Sequence, residues 1–205
     1  MLDLGCGTGL LADAWAARGH AVTGADPAAA MLAVARAKPH GDRIEWVLAT
    51  AEAFRSERRF DLVVMTGHAF QVLLTDEAMA RALGVVREHL AEGGRFVFES
   101  RNPAVDWMAR WRQAVTARTV DGAAVTETLR ALSREGEFVT FEQIYAFPDE
   151  TLVSRSTLRF APREAIEEAL AAAGLRAEAV LGDWDGAPFA GAEEEMIFVV
   201  RPQQT

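Results

Sequence analysis

Apolar positions along the chain recur with two periods, one typical of strands and one typical of helices. A continuous apolar run of strand length occurs at 60–66, as expected for a central parallel strand that is covered on both faces. Short strands are also predicted at 1–4 and 21–25. A helix is predicted over 75–92, because its apolar residues are spaced four, three and four positions apart and two glycines follow it. A further strand is predicted over 95–100. This alternation of strands and helices predicts an α/β fold.

The pattern changes after residue 100. Residues 102–114 are predicted to be helical, with Trp107 and Trp111 on one helix face. Between 115 and 160 apolar and polar residues alternate, which predicts a meander of antiparallel strands. Turn sequences interrupt this alternation at 121–122, 134–136 and 148–149, and the earlier pattern resumes with a helix over 162–173 and strands over 175–181 and 196–201. We therefore expect one domain over 1–205 with an insertion over 101–160.

A glycine-rich turn connects the first predicted strand to a helix that begins near Leu10. Gly5 and Gly7 permit positive φ angles and a close approach of the main chain, and the following helix presents unpaired N–H groups. A dinucleotide-binding turn has the spacing G-x-G-x-x-G. Here Gly9 completes G-x-G-x-G, and Asp3 precedes the first glycine by two residues. This spacing disfavours an NAD(P)-dependent oxidoreductase.

Asp3, Gly5, Gly7 and Gly9 resemble motif I of the class I S-adenosylmethionine-dependent methyltransferases. The resemblance implies a Rossmann-like, doubly wound, mostly parallel seven-stranded sheet with helices on both faces. It also implies that the turn, including Cys6, wraps the methionine end of the cofactor and that Asp3 holds the cofactor's ammonium group, directly or through water. Such a zwitterionic tail needs one carboxylate and several main-chain donors.

A second match to this family lies at the end of the second predicted strand. Asp26-Pro27 occupies the place of the acid that binds the ribose hydroxyls, since one carboxylate can accept from both. The same two residues also fit a helix start, with Asp26 as N-cap and Pro27 at the first helical position. Met31, in the next helix, matches a position that packs on the adenine.

The segment that follows the third strand departs from the family's usual G-D-A sequence. Thr50 stands where an aspartate often accepts a hydrogen bond from the adenine amino group. Adenine recognition is therefore expected from Thr50, from the main chain at Ala51 or from Glu52, which is equally compatible with a solvated acid at a helix start. Thr66, at the end of the fourth strand, completes the predicted cofactor site.

Candidate residues for the acceptor occur further along the same edge of the sheet, because ligands bind beyond the carboxyl ends of parallel strands. His68 is the candidate catalytic residue, since its pKa suits proton transfer near neutral pH. The alternative is a polar loop residue or a cofactor contact. Glu99 either orients a charged acceptor together with Arg101 or pairs with Arg101 locally. The candidate acceptor-binding residues are His68, Arg101, Trp107, Trp111, Tyr145 and Trp184, although aromatic residues at such spacings often belong to a core.

Composition and charge narrow the functional classes. The net charge of −9 disfavours a nucleic-acid partner, which usually needs a clustered basic surface. Long uncharged apolar segments and a leader pattern are absent from the sequence, so we expect a cytoplasmic protein without a membrane partner. The single cysteine permits neither an intrachain disulfide nor a cysteine metal site, and we predict no metal. Exposed edges of the strand meander make a homodimer a reasonable hypothesis.

The sequence thus predicts methyl transfer from S-adenosylmethionine to a nitrogen, oxygen or carbon atom of a small-molecule acceptor. The alternative is a non-catalytic domain that binds S-adenosylmethionine or a protein partner, because no catalytic base is unmistakable. Class I enzymes usually carry helices before the first strand, whereas this sequence starts two residues before Asp3. Either a native segment precedes it, or the first strand is short and the site open, in which case we expect modest stability and weaker cofactor retention.

Overall fold

Two β-sheets contain all eleven strands of the computed structural model, which describes residues 1–112, 114–120 and 123–203. The strands are β1 (Leu2–Leu4), β2 (Thr23–Asp26), β3 (Glu45–Leu48), β4 (Phe60–Met65), β5 (Leu90–Arg101), β6 (Ala114–Val120), β7 (Ala123–Glu135), β8 (Phe138–Ala146), β9 (Thr151–Arg159), β10 (Leu175–Leu181) and β11 (Glu195–Pro202). The helices are α1 (Leu10–Ala17), α2 (Ala29–Arg36), α3 (Asp76–His89), α4 (Trp107–Arg110) and α5 (Arg163–Ala172), with 3-10 helices at Gly41–Arg43 and Ala69–Val72. Within the described ranges, none of these helices is long and apolar enough to cross a membrane.

The larger sheet has seven strands in the order β10-β11-β5-β4-β1-β2-β3. Strand β11 is antiparallel to both of its neighbours, and the other strands are mutually parallel. Leu2 and Leu4 face a core that includes apolar side chains of α3 and α5. On the opposite face, Ala12 and Ala16 of α1 belong to a second apolar cluster. The predicted mostly parallel sheet with helices on both faces is confirmed.

The order of the strands reverses beside β1. From β1 the chain continues outward through β2 and β3 on one side, whereas β4 and β5 lie on the other side. A crevice opens at such a switch point, beyond the carboxyl ends of the strands. The turn after β1 and the loop after β4 therefore face each other there, which is where the sequence predicts the cofactor.

The second sheet is antiparallel, with the strand order β6-β7-β8-β9, and it is inserted between β5 and α5. Its inner face is covered by a cluster that contains Trp107, Trp111, Val139, Phe141 and Phe160. The predicted antiparallel meander is confirmed, although its turn at 121–122 lies outside the described residues. This arrangement brings the second sheet close to the loop that follows β4.

Three predicted boundaries are wrong. Helix α3 ends at His89 rather than at residue 92, because buried Leu90 already pairs with Phe60 as the first residue of β5. Residues 91–94 then form a bulge before Arg95 pairs with Leu62. Of the predicted helix over 102–114, only the four residues of α4 are helical. The segment before α4 is instead a turn, in which the side chain of Asn102 accepts a hydrogen bond from the main-chain N–H of Ala104. Strand β7 also extends to Glu135, so the turn predicted at 134–136 begins later.

Candidate cofactor and acceptor site

The glycine turn is held against β2 by main-chain hydrogen bonds. The N–H groups of Gly5 and Cys6 both donate to the carbonyl oxygen of Ala25, at 2.8 and 3.0 Å. The N–H of Gly7 donates to Oδ2 of Asp26 at 2.9 Å. Gly5, Gly7 and Gly9 have φ angles of 77°, 52° and 72°, in the left-handed region that favours glycine. The sequence spacing therefore corresponds to a turn whose conformation requires these residues.

The turn is also tightly packed, and Gly9 shows why a side chain is excluded there. A Cβ atom on Gly9 would lie 2.6 Å from the ring of Trp46 and 2.9 Å from Cβ of Ala35. The Trp46 ring is fixed by its Nε1–H, which donates to the carbonyl oxygen of Gly41 at 2.8 Å. A Cβ on Gly5 would lie 2.7 Å from Cβ of Ala69, in the loop after β4. Close packing thus holds the turn between the third strand and the loop after β4.

Asp3 lies beneath the turn as a buried carboxylate with an unused oxygen. It is 2% exposed, and its Oδ1 atom has no hydrogen-bond partner. Burial, together with the nearby carboxylates of Asp26 and Glu99, raises the pKa of Asp3 to about 7. A cavity of about 540 Å³ is lined by Asp3, the glycine turn, the start of α1 and the pair Thr66-Gly67. A buried unpaired acceptor beside a cavity fits a ligand that carries an ammonium group.

Asp26 closes β2 on the other side of the turn. Its Oδ1 atom accepts from the main-chain N–H of Ala28 at 2.8 Å, and its Oδ2 atom accepts from Gly7. Each oxygen of a carboxylate can accept more than one hydrogen bond, so Asp26 retains capacity for hydroxyl donors. The alternative helix-start role is wrong in detail, because α2 begins at Ala29 with Ala28 as N-cap, and Pro27 precedes both.

Cys6 is a packed residue of the turn. It is buried, and its pKa is raised to about 12 by burial, with further contributions from the charges of Asp3 and Asp26. A thiol with so high a pKa is not a useful nucleophile at neutral pH. The side chain of Cys6 therefore fills space in the turn.

The remaining predicted cofactor residues lie along the same edge of the sheet. Met31 on α2 is 45% exposed. Thr50 is exposed, and its carbonyl oxygen accepts from the N–H groups of the turn that follows it. Ala51 packs against the core, and the carbonyl oxygen of Glu52 accepts from Arg55 at 3.3 Å. The side chains of Met31 and Thr50 thus remain accessible to a ligand.

His68 occupies a strained position in the loop after β4. Its φ angle of 63° makes it the one non-glycine residue with a positive φ among the described residues. Its main-chain N–H donates to Oε1 of Glu99 at 2.7 Å, and its Nε2 atom lies 2.9 Å from Oε1 of Glu195. Its Nδ1 atom lies 3.1 Å from Nη2 of Arg101. A strained residue held by three such contacts is typical of a functional site.

The contacts of His68 determine its tautomer. A guanidinium group can only donate hydrogen bonds, so Nδ1 of His68 must accept from Arg101. Nε2 therefore carries the proton and donates to Glu195, and the imidazole is neutral. Both ring nitrogens are occupied in this arrangement. His68 consequently has no free lone pair with which to take a proton directly from an acceptor.

Arg101 connects this network to the aromatic residues of the insertion. Its guanidinium carbon lies 4.8 Å from the ring centroid of Trp111 and 5.6 Å from that of Trp107. Its Nη1–H donates to Oε1 of Gln71 at 3.0 Å. Burial lowers the pKa of Arg101 to about 10, while the charges of Glu195 and Glu99 act in the opposite direction. The guanidinium therefore stays charged at neutral pH.

A second cavity, of about 550 Å³, lies between the loop after β4 and the inner face of the second sheet. Its lining residues are Gly67, His68, Ala69, Val72, Leu74, Arg101, Trp111, Leu129, Phe141, Gln143, Ser156, Thr157 and Leu158. Gly67 also lines the cavity beside the glycine turn, so the two cavities adjoin. A ligand in the second cavity would lie next to a ligand in the first.

The predicted acceptor residues are only partly assembled around this second cavity. His68, Arg101 and Trp111 line it, and Trp107 is buried behind, with its ring centroid 5.2 Å from that of Trp111. Tyr145 lies further along β8 and donates to Glu127 at 3.5 Å, and Trp184 is 60% exposed in the loop after β10. Tyr145 and Trp184 fall outside the set of lining residues.

Residues 1–94 match the family model described as a methyltransferase domain. Residues 1–94 are thus similar to a methyltransferase domain. Among solved structures, the chain is similar to DesVI from Streptomyces venezuelae, with 25% identity and a TM-score of 0.81 over 98% of this chain and 82% of that protein. It is also similar to CalS10 from Micromonospora echinaspora, an amino pentose methyltransferase solved with S-adenosylmethionine, with 26% identity and a TM-score of 0.75 over 97% and 81%.

Curated relatives match a smaller share of the chain than these solved structures do. A ubiquinone biosynthesis O-methyltransferase from Bradyrhizobium sp. (strain ORS 278) is 33% identical over 106 residues, which are 50% of this chain and 40% of that protein. The matched segment thus spans about two fifths of that relative's length. The family model covers residues 1–94, which include the glycine turn and the strands β1 to β4.

Sequence reasoning missed several residues at or near the second cavity. Glu195 begins β11 and stands opposite Arg101 of β5, a pairing that depends on the antiparallel return of the last strand. Gln71, Phe141 and Gln143 were equally unexpected. Glu99 was expected to pair with Arg101 or to orient an acceptor, and in the structure its Oε1 atom accepts from the N–H of His68. These contacts join distant segments and leave no local pattern in the sequence.

Proposed function

We propose that this methyltransferase domain transfers a methyl group from S-adenosylmethionine to a small-molecule acceptor. The observation that carries the proposal is the unpaired Oδ1 atom of buried Asp3 beside the cavity of the glycine turn. Asp3 would hold the ammonium group, and the turn over Gly5–Gly9 would supply main-chain contacts to the methionine end. Asp26 would accept from the ribose hydroxyls, and Met31 with Thr50–Glu52 would contact the adenine.

Once bound, S-adenosylmethionine supplies a methyl group that its sulfonium has already activated. The protein's own contribution is then to position the acceptor and to exclude water, which supplies several kcal/mol by proximity and desolvation. The second cavity supports this role, since it adjoins the first at Gly67 and is partly walled by Trp111 and Phe141. We propose that the insertion over 101–160 covers the acceptor.

The acceptor atom does not follow from the curated relatives. The Bradyrhizobium protein is named an O-methyltransferase, but the matched segment covers half of this chain. The acceptor cavity is built largely from the insertion, where residues such as Phe141 and Gln143 provide its wall. Acceptor choice must therefore be argued from this chain's own residues.

The test is calorimetric titration of the protein with S-adenosylhomocysteine. Asp3→Asn and Asp26→Asn should each weaken binding at least roughly tenfold, because each removes a charge-assisted contact of ~1.5–3 kcal/mol. Asp149→Asn, in the exposed turn before β9, is the matched control and should bind like the unaltered protein. Unchanged affinity in both site variants would refute the proposed cofactor site. Binding without methylated product from any amine, alcohol or thiol tested would favour the non-catalytic alternative.

A further inference from the structure

Arg101 is the charged residue of the acceptor cavity. Among the described residues that line this cavity, none is an aspartate or a glutamate, and His68 is neutral in its observed tautomer. Glu99 and Glu195 project on the same side of the sheet as Arg101, but they fall outside the set of lining residues. Their Oε1 atoms accept hydrogen bonds from His68. A ligand in this cavity therefore contacts a positive charge.

The guanidinium group of Arg101 retains hydrogen-bond donors for a ligand. A guanidinium carries five N–H groups in one rigid plane. One of those on Nη1 donates to Oε1 of Gln71 at 3.0 Å, and one of those on Nη2 donates to Nδ1 of His68 at 3.1 Å. Within the part of the chain that the structure describes, its Nε–H donates to no acceptor and no carboxylate forms an ion pair with it. Arg101 is thus bound by two neutral groups.

The protein compensates the charge of Arg101 only in part. Burial lowers the pKa of Arg101 to about 10, and this effect outweighs the opposite effects of Glu195 and Glu99. Burial also raises the pKa of Glu99, because it disfavours the ionised carboxylate. A half-buried cation without a carboxylate partner is stabilised by a ligand of opposite charge.

Two indole rings determine how a ligand can reach Arg101. Its guanidinium carbon lies 4.8 Å from the ring centroid of Trp111 and 5.6 Å from that of Trp107. A guanidinium that lies against aromatic rings presents its remaining N–H groups at its edge. A carboxylate is planar and can accept two parallel hydrogen bonds from such an edge. The contacts of Arg101 therefore suit a carboxylate that approaches in the plane of the guanidinium.

We propose that the acceptor is an organic acid and that Arg101 binds its carboxylate group. This inference rests on the proposed function and names its substrate class. The body of the acceptor is expected to be aromatic or aliphatic, because many of the other lining residues are apolar. These are Val72, Leu74, Trp111, Leu129, Phe141 and Leu158. Arg101 is then a residue that determines specificity by binding the acceptor.

A carboxylate suits this cavity better than a phosphate group. Arg101 is the one formally charged residue among the described lining residues. A phosphate monoester carries a charge of about −1.5 to −2 at pH 7, which a single guanidinium does not neutralise. Glu99 and Glu195 lie behind Arg101 on the same side of the sheet and would add to the repulsion of a dianion. A ligand with a single negative charge is therefore the better match.

The experiment compares benzoate with benzamide, two probes of similar shape that differ in charge, and includes phenyl phosphate. Each is titrated near neutral pH into the protein saturated with S-adenosylhomocysteine. The unaltered protein should bind benzoate at least roughly tenfold more tightly than benzamide, which corresponds to ~1.4 kcal/mol. Arg101→Gln should lose most of this preference, whereas Arg101→Lys keeps the charge without the planar fork and should retain part of it. Arg155→Gln is the matched control, because Arg155 is 67% exposed and pairs with Glu142 inside the second sheet.

The outcomes separate this inference from the proposed function. Equal affinity of the unaltered protein for benzoate and benzamide, or absence of binding by both, would overturn the assignment of an organic acid. Tighter binding of phenyl phosphate than of benzoate would overturn the choice of a carboxylate. A full preference for benzoate in Arg101→Gln would overturn the role of Arg101. Loss of S-adenosylhomocysteine binding by the unaltered protein would instead count against the proposed function, and retained binding in a variant shows that the variant is folded.

Discussion

Asp3 couples ligand binding to pH. Its pKa of about 7 in the unliganded protein is well above the ordinary value of 3.8, with burial as the main cause. The folded state therefore binds more protons than the unfolded state between these two values. The contribution of Asp3 to stability consequently falls as the pH rises from about 4 to about 7. An ammonium group beside Asp3 would lower this pKa again, because it stabilises the ionised carboxylate.

We predict that affinity for S-adenosylhomocysteine rises roughly tenfold or more between about pH 5.5 and pH 7.5, as ionised Asp3 becomes populated. Calorimetric titration at several pH values measures this dependence. Asp3→Asn should bind weakly and with little pH dependence over the same range. The unliganded variant should also lack the stability decrease that Asp3 causes, which urea unfolding at pH 5 and pH 7 would measure. Equal pH dependence of binding in both proteins would contradict the role of Asp3.

At the scale of elements, the glycine turn shows how conformation and packing act on the same residues. Gly7 and Gly9 both have left-handed backbone angles, but their surroundings differ. A Cβ atom on Gly7 would have no atom within 4 Å, whereas one on Gly9 would collide with Trp46 and Ala35. Comparing the two positions therefore separates backbone strain from steric overlap.

We predict that Gly7→Ala lowers the free energy of unfolding by ~1–2 kcal/mol, the usual cost of a left-handed non-glycine residue. Gly9→Ala should lower it by more, because overpacking of the Trp46 ring adds ~1–3 kcal/mol. Urea unfolding of the unliganded protein measures both values. An equal loss of stability in the two variants would mean that Trp46 and Ala35 move aside at little cost.

The elements also show which parts of the structure the sequence could predict. The strand from Phe60 was predicted well, because a buried parallel strand is a continuous apolar run. Leu90 was assigned to a helix because its spacing fits the apolar face of α3, yet sheet pairing with Phe60 takes this residue into β5. The spacing of Trp107 and Trp111 predicted a helix longer than α4. A single helical turn is enough in the structure, because contacts with Phe160 hold both rings.

The residues of the candidate site also include some that the sequence predicts and some that it does not. Asp3 and the glycines were found because their roles depend on spacing within one short segment. Glu195 was not found, because its contact with His68 joins residues 127 positions apart. His68 was correctly placed at the edge of the sheet, but its tautomer depends on Arg101 and could not be inferred from its own segment. Local motifs thus predict the cofactor side, whereas the acceptor side depends on topology.

At the scale of the whole molecule, the acceptor cavity depends on how the second sheet is attached to the first. Arg159, at the end of β9, is a central contact. Its side chain lies 2.7 Å from Oδ1 of Asp76 on α3 and 2.7 Å from Oε2 of Glu137 in the second sheet. Its carbonyl oxygen accepts from Nε2 of Gln71, which also binds Arg101. The attachment of the second sheet is thereby connected to the acceptor network.

We predict that Arg159→Gln loosens the second sheet without weakening the cofactor site. The Arg159 side chain is only 12% exposed and pairs with two carboxylates, so the global loss of stability should be ~1.5–3 kcal/mol, more than for a surface ion pair. Amide hydrogen exchange should also rise in β8 and β9, because separating the second sheet from the first would no longer break the contact between Arg159 and Asp76. Arg155→Gln is the matched control, since Arg155 pairs with Glu142 inside the second sheet and does not join the two sheets. Affinity for S-adenosylhomocysteine should stay the same in both variants. If hydrogen exchange in β8 and β9 were equal in Arg159→Gln and Arg155→Gln, Arg159 would not be needed to attach the second sheet.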